Sequence, residues 1–490
     1  MYYIILSILF PIFTGVYLLV RKEMKSRKNL LMAAGIFFVI SAVLVILALC
    51  MAGNGLFTLF NLTNRLPILF KIDEVSVVFS VMAVVVIVCA GFFSFAYMKH
   101  EGKEKRYYGY YLIVLGVLIA LCFAGNLITF YMFFEVLTLS SMPLVLHNGS
   151  KEAVMAGLKY LFYSLSGAYM SLFGIYFLER YGNTLTFSPG GVISAEMAVQ
   201  HGGILLGICF AMLIGFGVKA GMFPMHAWLP AAHPVAPAPA SAVLSAVIVK
   251  AGVLALVRVV YYIFGVSFLK GSWVQYAWIV LTLTTVFMGS MLAYREPVLK
   301  KRLAYSTVSQ LSYILFGLSV MNAESVTGGL LHVLSHGFIK GALFLCAGAI
   351  IYMTGKTRVD QLRGIGKEMP LLMWCYTIVS LGLIGIPPTG GFISKWYLAQ
   401  GALLSDIPGF NWIGPVILLI SALLTAGYLL PLTIRGFFPG ADYDYGTLKK
   451  KEAPLIMTVP ILILTALSVG IGLFPQIVTN YLSHIVERVI

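Results

Sequence analysis

The chain has 490 residues, of which 60% are hydrophobic and 10% charged, against roughly 45–50% and 25% in ordinary soluble domains. Its 33 Lys and Arg outnumber 18 Asp and Glu, giving a net charge of +15. This composition excludes a soluble globular domain, and the basic excess reads as membrane topology and lipid headgroup contact, with no nucleic-acid partner.

The apolar stretches between charge clusters can each cross a hydrocarbon core about 30 Å thick as a helix. Their spacing predicts an all-α polytopic membrane protein with fourteen helices, near residues 2–20, 30–53, 75–97, 107–124, 127–146, 154–178, 203–227, 238–264, 272–294, 303–320, 327–353, 371–399, 411–434 and 454–475. The first, MYYIILSILFPIFTGVYLLV, lacks a basic start and a small-residue cleavage site, so it reads as a retained span. With the N-terminus outside, the inner loops beginning at RKEMKSRKN carry 22 basic residues and the outer segments 5. That asymmetry places both termini on the outer side of the plasma membrane. It leaves Lys159, Lys219, Lys250, Arg258, Lys340 and Lys395 inside helices.

In chain order, helix five carries Glu135 in LITFYMFFEVLTLSSMPLVLH. It is the one acid placed deep in a helix; the other seventeen Asp and Glu fall in loops or at helix ends. Lys159 in helix six lies about six residues, roughly 9 Å, from the inner end, close enough to snorkel to the headgroups and otherwise a secondary proton-transfer candidate. Helix seven reads FGVKAGMFPMHAW, with Gly221 and Pro224 just after Lys219. His226 near its inner end either caps the broken helix or joins the transfer of protons. Helix eight opens with PVAPAPASA, a further candidate break, and carries Lys250 near its middle. Arg258, near its outer end, reads as a snorkelling side chain.

Helix ten begins with AYSTVSQLSYIL, whose Ser306, Thr307, Ser309, Gln310 and Ser312 either hold water or serve helix packing. In helix eleven, GGLLHVLSHGFIKGALFLCAGAI places His332, His336 and Lys340 at i, i+4 and i+8 on one helical face. No third metal ligand accompanies the two histidines, and Lys340 opposes a cation, so the reading is a proton relay, with packed structural histidines as the alternative. Helix twelve, SLGLIGIPPTGGFISKWYLAQG, is broken at Pro387, Pro388, Gly390 and Gly391, just before Lys395. Interrupted helices survive in a bilayer where the freed backbone is buried or lines a cavity, and paired breaks in two halves mark transporters.

Helices four to eight and nine to thirteen form two sets of five. An odd number reverses the starting side, so they are expected to be inverted repeats with broken helices seven and twelve in correspondence. The whole chain is then a single integral membrane domain, 1–490, divided into helices one to three (1–106), the first repeat (107–264), the second (272–435), and helix fourteen with a short tail (454–490). Cys50, Cys89, Cys122, Cys209, Cys346 and Cys375 are isolated, without the paired spacing of zinc or iron–sulfur sites, and no phosphate-cradling loop is present. No cofactor, metal or redox centre is expected in this chain.

FFEVLTLSSMPLV, GFGVKAGMFPMHAWLPAAHPVAPAPASAVLSAVIVKAG, KRLAYSTVSQLSY, HVLSHGFIKGALFL and GIPPTGGFISKW together resemble the antiporter-like, proton-conducting membrane subunits of respiratory complex I, energy-converting membrane-bound hydrogenases and multisubunit Na+/H+ antiporters. The resemblance spans about residues 75–440. It implies that Glu135 matches the helix-five glutamate, Lys219 and Lys250 the helix-seven and helix-eight lysines, His332 and His336 the central histidines, and Lys395 the terminal helix-twelve position. Ala231 departs from the pattern, since relatives often carry an acid after HAWLP. The short segment after helix fourteen is unlike distal members, which continue into a lateral helix.

The expected function is movement of H+, with Na+ as a further candidate ion, by a subunit of a membrane-bound redox complex of hydrogenase or complex I type. Partners would be other antiporter-like or small membrane subunits and peripheral iron–sulfur or hydrogenase-like subunits that carry the electrons. The alternative is a D-type component of a multisubunit Na+/H+ antiporter with no redox partner. Motion of Glu135 toward or away from Lys219 would alter the proton affinity of that lysine, the two titrating as one coupled unit.

Overall fold

In the computed structural model, residues 2–22, 26–51, 53, 55–63, 66–181, 184–441, 443–444 and 451–490 are described. Of the basic inner-loop residues counted above, Lys25, Lys449 and Lys450 lie outside the described residues. The chain begins with α1 (Tyr2–Val20) and α2 (Arg27–Met51), then a hairpin of β1 (Phe57–Thr63) and β2 (Leu66–Phe70), in which Phe57 pairs with Phe70 and Thr63 with Leu66. Helices α3 (Glu74–Glu101), α4 (Glu104–Cys122), α5 (Leu127–Val145), α6 (Lys151–Tyr181) and α7 (Ala195–Lys219) follow. The short α8 (Leu229–Val235) precedes an interrupted span made of α9 (Ala238–Val243), a π-helical stretch (Leu244–Ile248), α10 (Lys250–Val257) and a second π stretch (Arg258–Phe264).

After α11 (Val266–Leu269) come α12 (Trp273–Arg295), α13 (Leu299–Val320), α14 (Ala323–Thr354), α15 (Ile365–Glu368), the half-helices α16 (Pro370–Ile384) and α17 (Gly390–Leu403), α18 (Phe410–Phe437), α19 (Leu455–Leu473) and α20 (Pro475–Val489). Among the described residues thirteen spans are long and apolar enough to cross a membrane. The pair α16 and α17 adds the expected broken helix twelve. The predicted spans thus reappear with shifted ends.

The expected break in helix seven and the candidate break in helix eight are both present, the second as π-helical stretches, and two features are additional. Helix seven stops at Lys219 instead of near residue 227, because Gly221 (φ +70°) and Pro224 cannot continue it. Helix eight is interrupted by its two π-helical stretches, a device that recurs at functional sites. The hairpin β1–β2 adds the strands among the described residues, and the expected short tail forms helix α20, with Leu482, Ile485, Val486 and Val489 on one buried face.

Helix α14 is the axis of the bundle, buried along most of its length and packed on α3, α13, α16, α17 and α19. Its start is fixed by a capping box in which Asn322 accepts from the Ser325 N–H, and α5 and α3 are capped likewise by Asn126 and Asp73. Peripheral helices α1, α2, α6 and α18 expose Phe13, Ile36, Phe162 and Leu423 as a lipid-facing surface.

Asp73 does more than cap. It accepts 2.5 and 2.8 Å hydrogen bonds from both terminal nitrogens of Arg258, across 185 residues of sequence, and the guanidinium lies over the rings of Phe187 and Tyr262. Arg258, expected to snorkel, is instead fully buried in an ion pair that joins helix eight to the start of α3. Burial alone would raise the Asp73 carboxyl, but the Arg258 charge and its hydrogen bonds, with those from Ser76, hold it down at about 2. The pair's stabilisation is complete above the ordinary carboxyl value of 3.8 and is lost only as pH falls through about 2. Asp73→Asn leaves the guanidinium buried opposite a neutral amide, and should cost about 3–5 kcal/mol, read as a lower thermal midpoint of the purified protein at neutral pH.

Candidate functional site

Lys219 is the last residue of α7 and is fully buried. Its Nζ donates to the Thr138 hydroxyl at 2.8 Å and the Tyr160 hydroxyl at 2.7 Å, and lies over the rings of Phe134 and Tyr160 at 5.5 and 4.7 Å. Thr138 and Tyr160 come from α5 and α6, so three helices converge on one ammonium. Glu135 stands three residues before Thr138 on the same face of α5. The carboxylate is half-buried, with one oxygen lacking a hydrogen-bond partner, and it does not reach Lys219 as an ion pair. The structure therefore holds the two charges apart, with hydroxyls at the ammonium.

Helix eight crosses the end of α7 closely. A Cβ on Gly252 would lie 2.5 Å from the Ala220 nitrogen and 3.0 Å from the Lys219 carbonyl carbon, so only glycine permits this crossing two residues from Lys250. Lys250 is buried at the junction of the first π stretch with α10. Its Nζ donates to the Ser245 carbonyl at 2.8 Å and lies 2.7 Å from His336 Nδ1. The His336 ring stacks on that of His332 with centroids 5.7 Å apart.

From there the series continues to helix twelve. His332 lies 2.8 Å through Nδ1 from the Ser394 hydroxyl and 3.1 Å through Nε2 from Gln310 Oε1. Tyr313 stacks on His332 at 5.8 Å and presents its ring to Lys395 Nζ at 4.8 Å. The Lys395 ammonium donates to the Leu383 and Ile384 carbonyls at 2.6 and 3.0 Å. Those carbonyls end α16, so a cation there meets orphan acceptors and the negative end of a helix dipole. Lys395 follows the break in sequence, yet its charge returns to the half-helix before it.

Lys340 donates to the Leu303 carbonyl at 3.0 Å and to the Ser306 hydroxyl. Thr307 bonds Ser245 at 2.7 Å. Ser306 bonds Lys340 and Gln310 bonds His332, Thr307 bonds the Ser245 whose carbonyl accepts from Lys250, and Ser309 belongs to a separate hydroxyl cluster with Ser290 and Ser421. Lys159 is exposed on α6 and stands apart from the series; His226 is half-buried with its ring 6.2 Å from Phe223. Among the described residues no carboxylate is in ion-pair contact with Lys219, Lys250, Lys340 or Lys395, and no three His, Cys, Asp or Glu converge as a metal site. Sequence reasoning missed Thr138, Tyr160, Tyr313 and Ser394. Their signal was weak: Tyr160 and Ser394 merely adjoin the lysines already singled out.

Comparison with known proteins gives one consistent result. Residues 124–438 match the model of the family described as NADH:quinone oxidoreductase/Mrp antiporter, transmembrane, and residues 61–108 match that of the complex I chain 5 N-terminus. The chain is 32% identical to NADH-quinone oxidoreductase subunit N of Desulforudis audaxviator over 419 residues, covering 81% of this chain and 82% of the relative. It is 27% identical to a Na(+)/H(+) antiporter subunit from Alkalihalophilus pseudofirmus, covering 99% and 97%. It is 30% identical to hydrogenase-4 component B of Escherichia coli, covering 83% and 62%. The fold superposes on a chain of the Mrp complex from Dietzia sp. DQ12-45-1b with a TM-score of 0.85 at 20% identity, covering 100% and 98%.

Proposed function

The chain belongs to the NADH:quinone oxidoreductase/Mrp antiporter membrane family, and from that premise we propose that Glu135, Lys219, Lys250, His336, His332 and Lys395 relay protons through an antiporter-like subunit of a membrane-bound redox complex of energy-converting hydrogenase or complex I type. The observation that carries this reading is the run of contacts from Lys250 to His336, His332, Ser394, Tyr313 and Lys395. An ammonium 2.7 Å from an imidazole nitrogen shares its proton along one hydrogen bond. Between the two stacked rings the distance is too long for a direct transfer, so a bridging water completes the step. The Ser394 hydroxyl, donor and acceptor at once, then links His332 to the helix that bears Lys395.

Buried cations solvated by carbonyls, hydroxyls and ring faces are expensive to keep, and a scaffold role would be met as well by apolar residues. The charge asymmetry of the loops supports a plasma-membrane subunit with both termini outside. Its partners are further membrane subunits and peripheral iron–sulfur or hydrogenase-like subunits. In inverted vesicles holding the native complex, Lys250→Ala should abolish proton uptake while the complex still assembles. Uptake at the wild-type rate overturns the relay.

A second reading, a component of a Na+/H+ antiporter without a redox partner, is favoured by one observation: the Alkalihalophilus antiporter relative aligns over almost the whole of both chains. Mass determination of the intact complex separates the two. A copurifying iron–sulfur or nickel subunit selects the first, and small membrane subunits alone select the second.

A further inference from the structure

A cavity of about 350 Å³ opens where the ends of α3, α6, α8, α13 and α14 meet, lined by Glu101, Asn148, Glu152, Pro234, Ala236 and Lys300 among others. All of these segments border loops that the basic-residue asymmetry assigns to the inner side. Lys300, buried, closes the floor of this vestibule: its Nζ donates to the Pro234 carbonyl at 3.1 Å and the Ala236 carbonyl at 2.5 Å, at the end of α8.

Next to that plug, on the preceding residue, is a side chain that the relay above does not use. His233 is fully buried, its ring stacks on Phe344 at 4.7 Å, and both ring nitrogens lack a hydrogen-bond partner among the described residues. Its backbone carbonyl is fixed by the Ser241 hydroxyl at 3.0 Å. A buried imidazole with two unsatisfied nitrogens is costly as packing material, and a polar, cation-bordered surrounding calls for water at both. Phe344 lies one turn from Lys340 on α14, and Lys340 lies one turn from His336. On α13, Lys300, the Leu303 carbonyl, Ser306 and Thr307 climb in the same direction, Leu303 and Ser306 holding Lys340 and Thr307 holding Ser245 beside Lys250. The cations whose charges act on His233 are Lys300, Lys340 and Lys250, one each from α13, α14 and α10.

We propose that His233 is the proton-loading group of this subunit, drawing protons from the inner vestibule past the Lys300 plug and passing them by way of Lys340 to the Lys250–His336 pair. A proton arrives at one ring nitrogen and the other nitrogen releases its own toward a neutral Lys340 amine, so the imidazole is left neutral in its second tautomer. Rotation of the ring resets it. Lys300 keeps the floor shut by occupying the α8 carbonyls, and leaves them when it loses its own proton or swings toward Glu101 and Glu152. This assignment rests on the relay of the preceding subsection.

The test uses the native complex in sealed vesicles of both orientations, with a membrane-impermeant methanethiosulfonate as the probe and site-resolved mass spectrometry as the readout. His233→Cys should be labelled from the inner face only, and at least about tenfold faster when combined with Lys300→Ala. In parallel, His233→Gln should lower proton uptake by about tenfold or more, the scale of a lost proton-transfer group. Labelling from the outer face, no labelling in either background, or wild-type uptake by His233→Gln overturns the assignment. Labelling reports water access to position 233 whatever the relay does, so a failed relay, seen as wild-type uptake by Lys250→Ala, is told apart from a failed access route.

Discussion

Lys219→Ala should reduce proton uptake by the native complex to background, a loss of about a hundredfold or more, without preventing assembly. The fold has reason to tolerate the change. Tyr160 keeps its 2.8 Å bond to Ser141, and Thr138 keeps its bond to the Phe134 carbonyl, so neither hydroxyl is left unsatisfied when the ammonium goes. Transport has no such reserve, because among the described residues no other titratable amine stands at the end of α7. Lys219→Arg separates charge from titration: guanidinium preserves the positive charge but does not release its proton. Arginine should therefore be as inactive as alanine. The check is dye-monitored acidification of inverted vesicles beside native gels of the assembled complex. Acidification by the arginine variant at the wild-type rate would mean that only the charge matters.

The second large effect is structural and falls on helix twelve. A Cβ on Gly391 would lie 1.9 Å from the Gly382 carbonyl oxygen and 2.9 Å from its carbon, so half-helices α16 and α17 pack backbone to backbone. Backbone atoms cannot rotate away as a side chain can. Gly391→Ala should cost more than about 3 kcal/mol, beyond the usual range for overpacking. Forcing the halves apart also withdraws the Leu383 and Ile384 carbonyls that hold Lys395, so transport should fail with stability. Gly470→Ala is the matched control: nothing lies within 4 Å of its added methyl, inside α19. That variant should be neutral or more stable by up to about 1 kcal/mol, since alanine is the better helix former. Thermal midpoints of the two purified variants decide the matter. Equal midpoints would show that the α16–α17 contact yields easily.

How far the sequence was legible depends on the range of the interaction concerned. Span existence follows from composition over about twenty residues, and the breaks at Gly221 and Pro224, and at Pro387 to Gly391, follow from local backbone chemistry, so both were readable. The i, i+4, i+8 spacing also placed His332, His336 and Lys340 together on α14 as observed. What escaped was set by distant partners. Arg258 looks like a snorkelling residue until Asp73, 185 positions away, is brought against it. Tyr160 and Thr138 reach Lys219 over 59 and 81 positions, and no local pattern announces a hydroxyl that will face an ammonium. The π stretches around Lys250 are equally silent, since their residues are ordinary helix and strand formers. His233 was hidden for another reason: in a proline-rich segment it reads as one more polar loop residue.

Lys250, Lys340 and Lys395 are held by carbonyls, a hydroxyl and an imidazole and, among the described residues, have no anion in contact with them. Such a region has a limited occupancy. Two unit charges about 8 Å apart repel by about 2 kcal/mol at an effective dielectric constant of 20, roughly a thirtyfold penalty on holding both. Fixed dipoles can welcome one charge at Lys250, Lys340 or Lys395, but they supply nothing that cancels a second. In the proposed relay, arrival of a proton at one end would thus favour departure of another from the far end. In that relay the carbonyl-solvated lysines would form a queue that advances one place at a time, because no counter-charge lets two charges stand together.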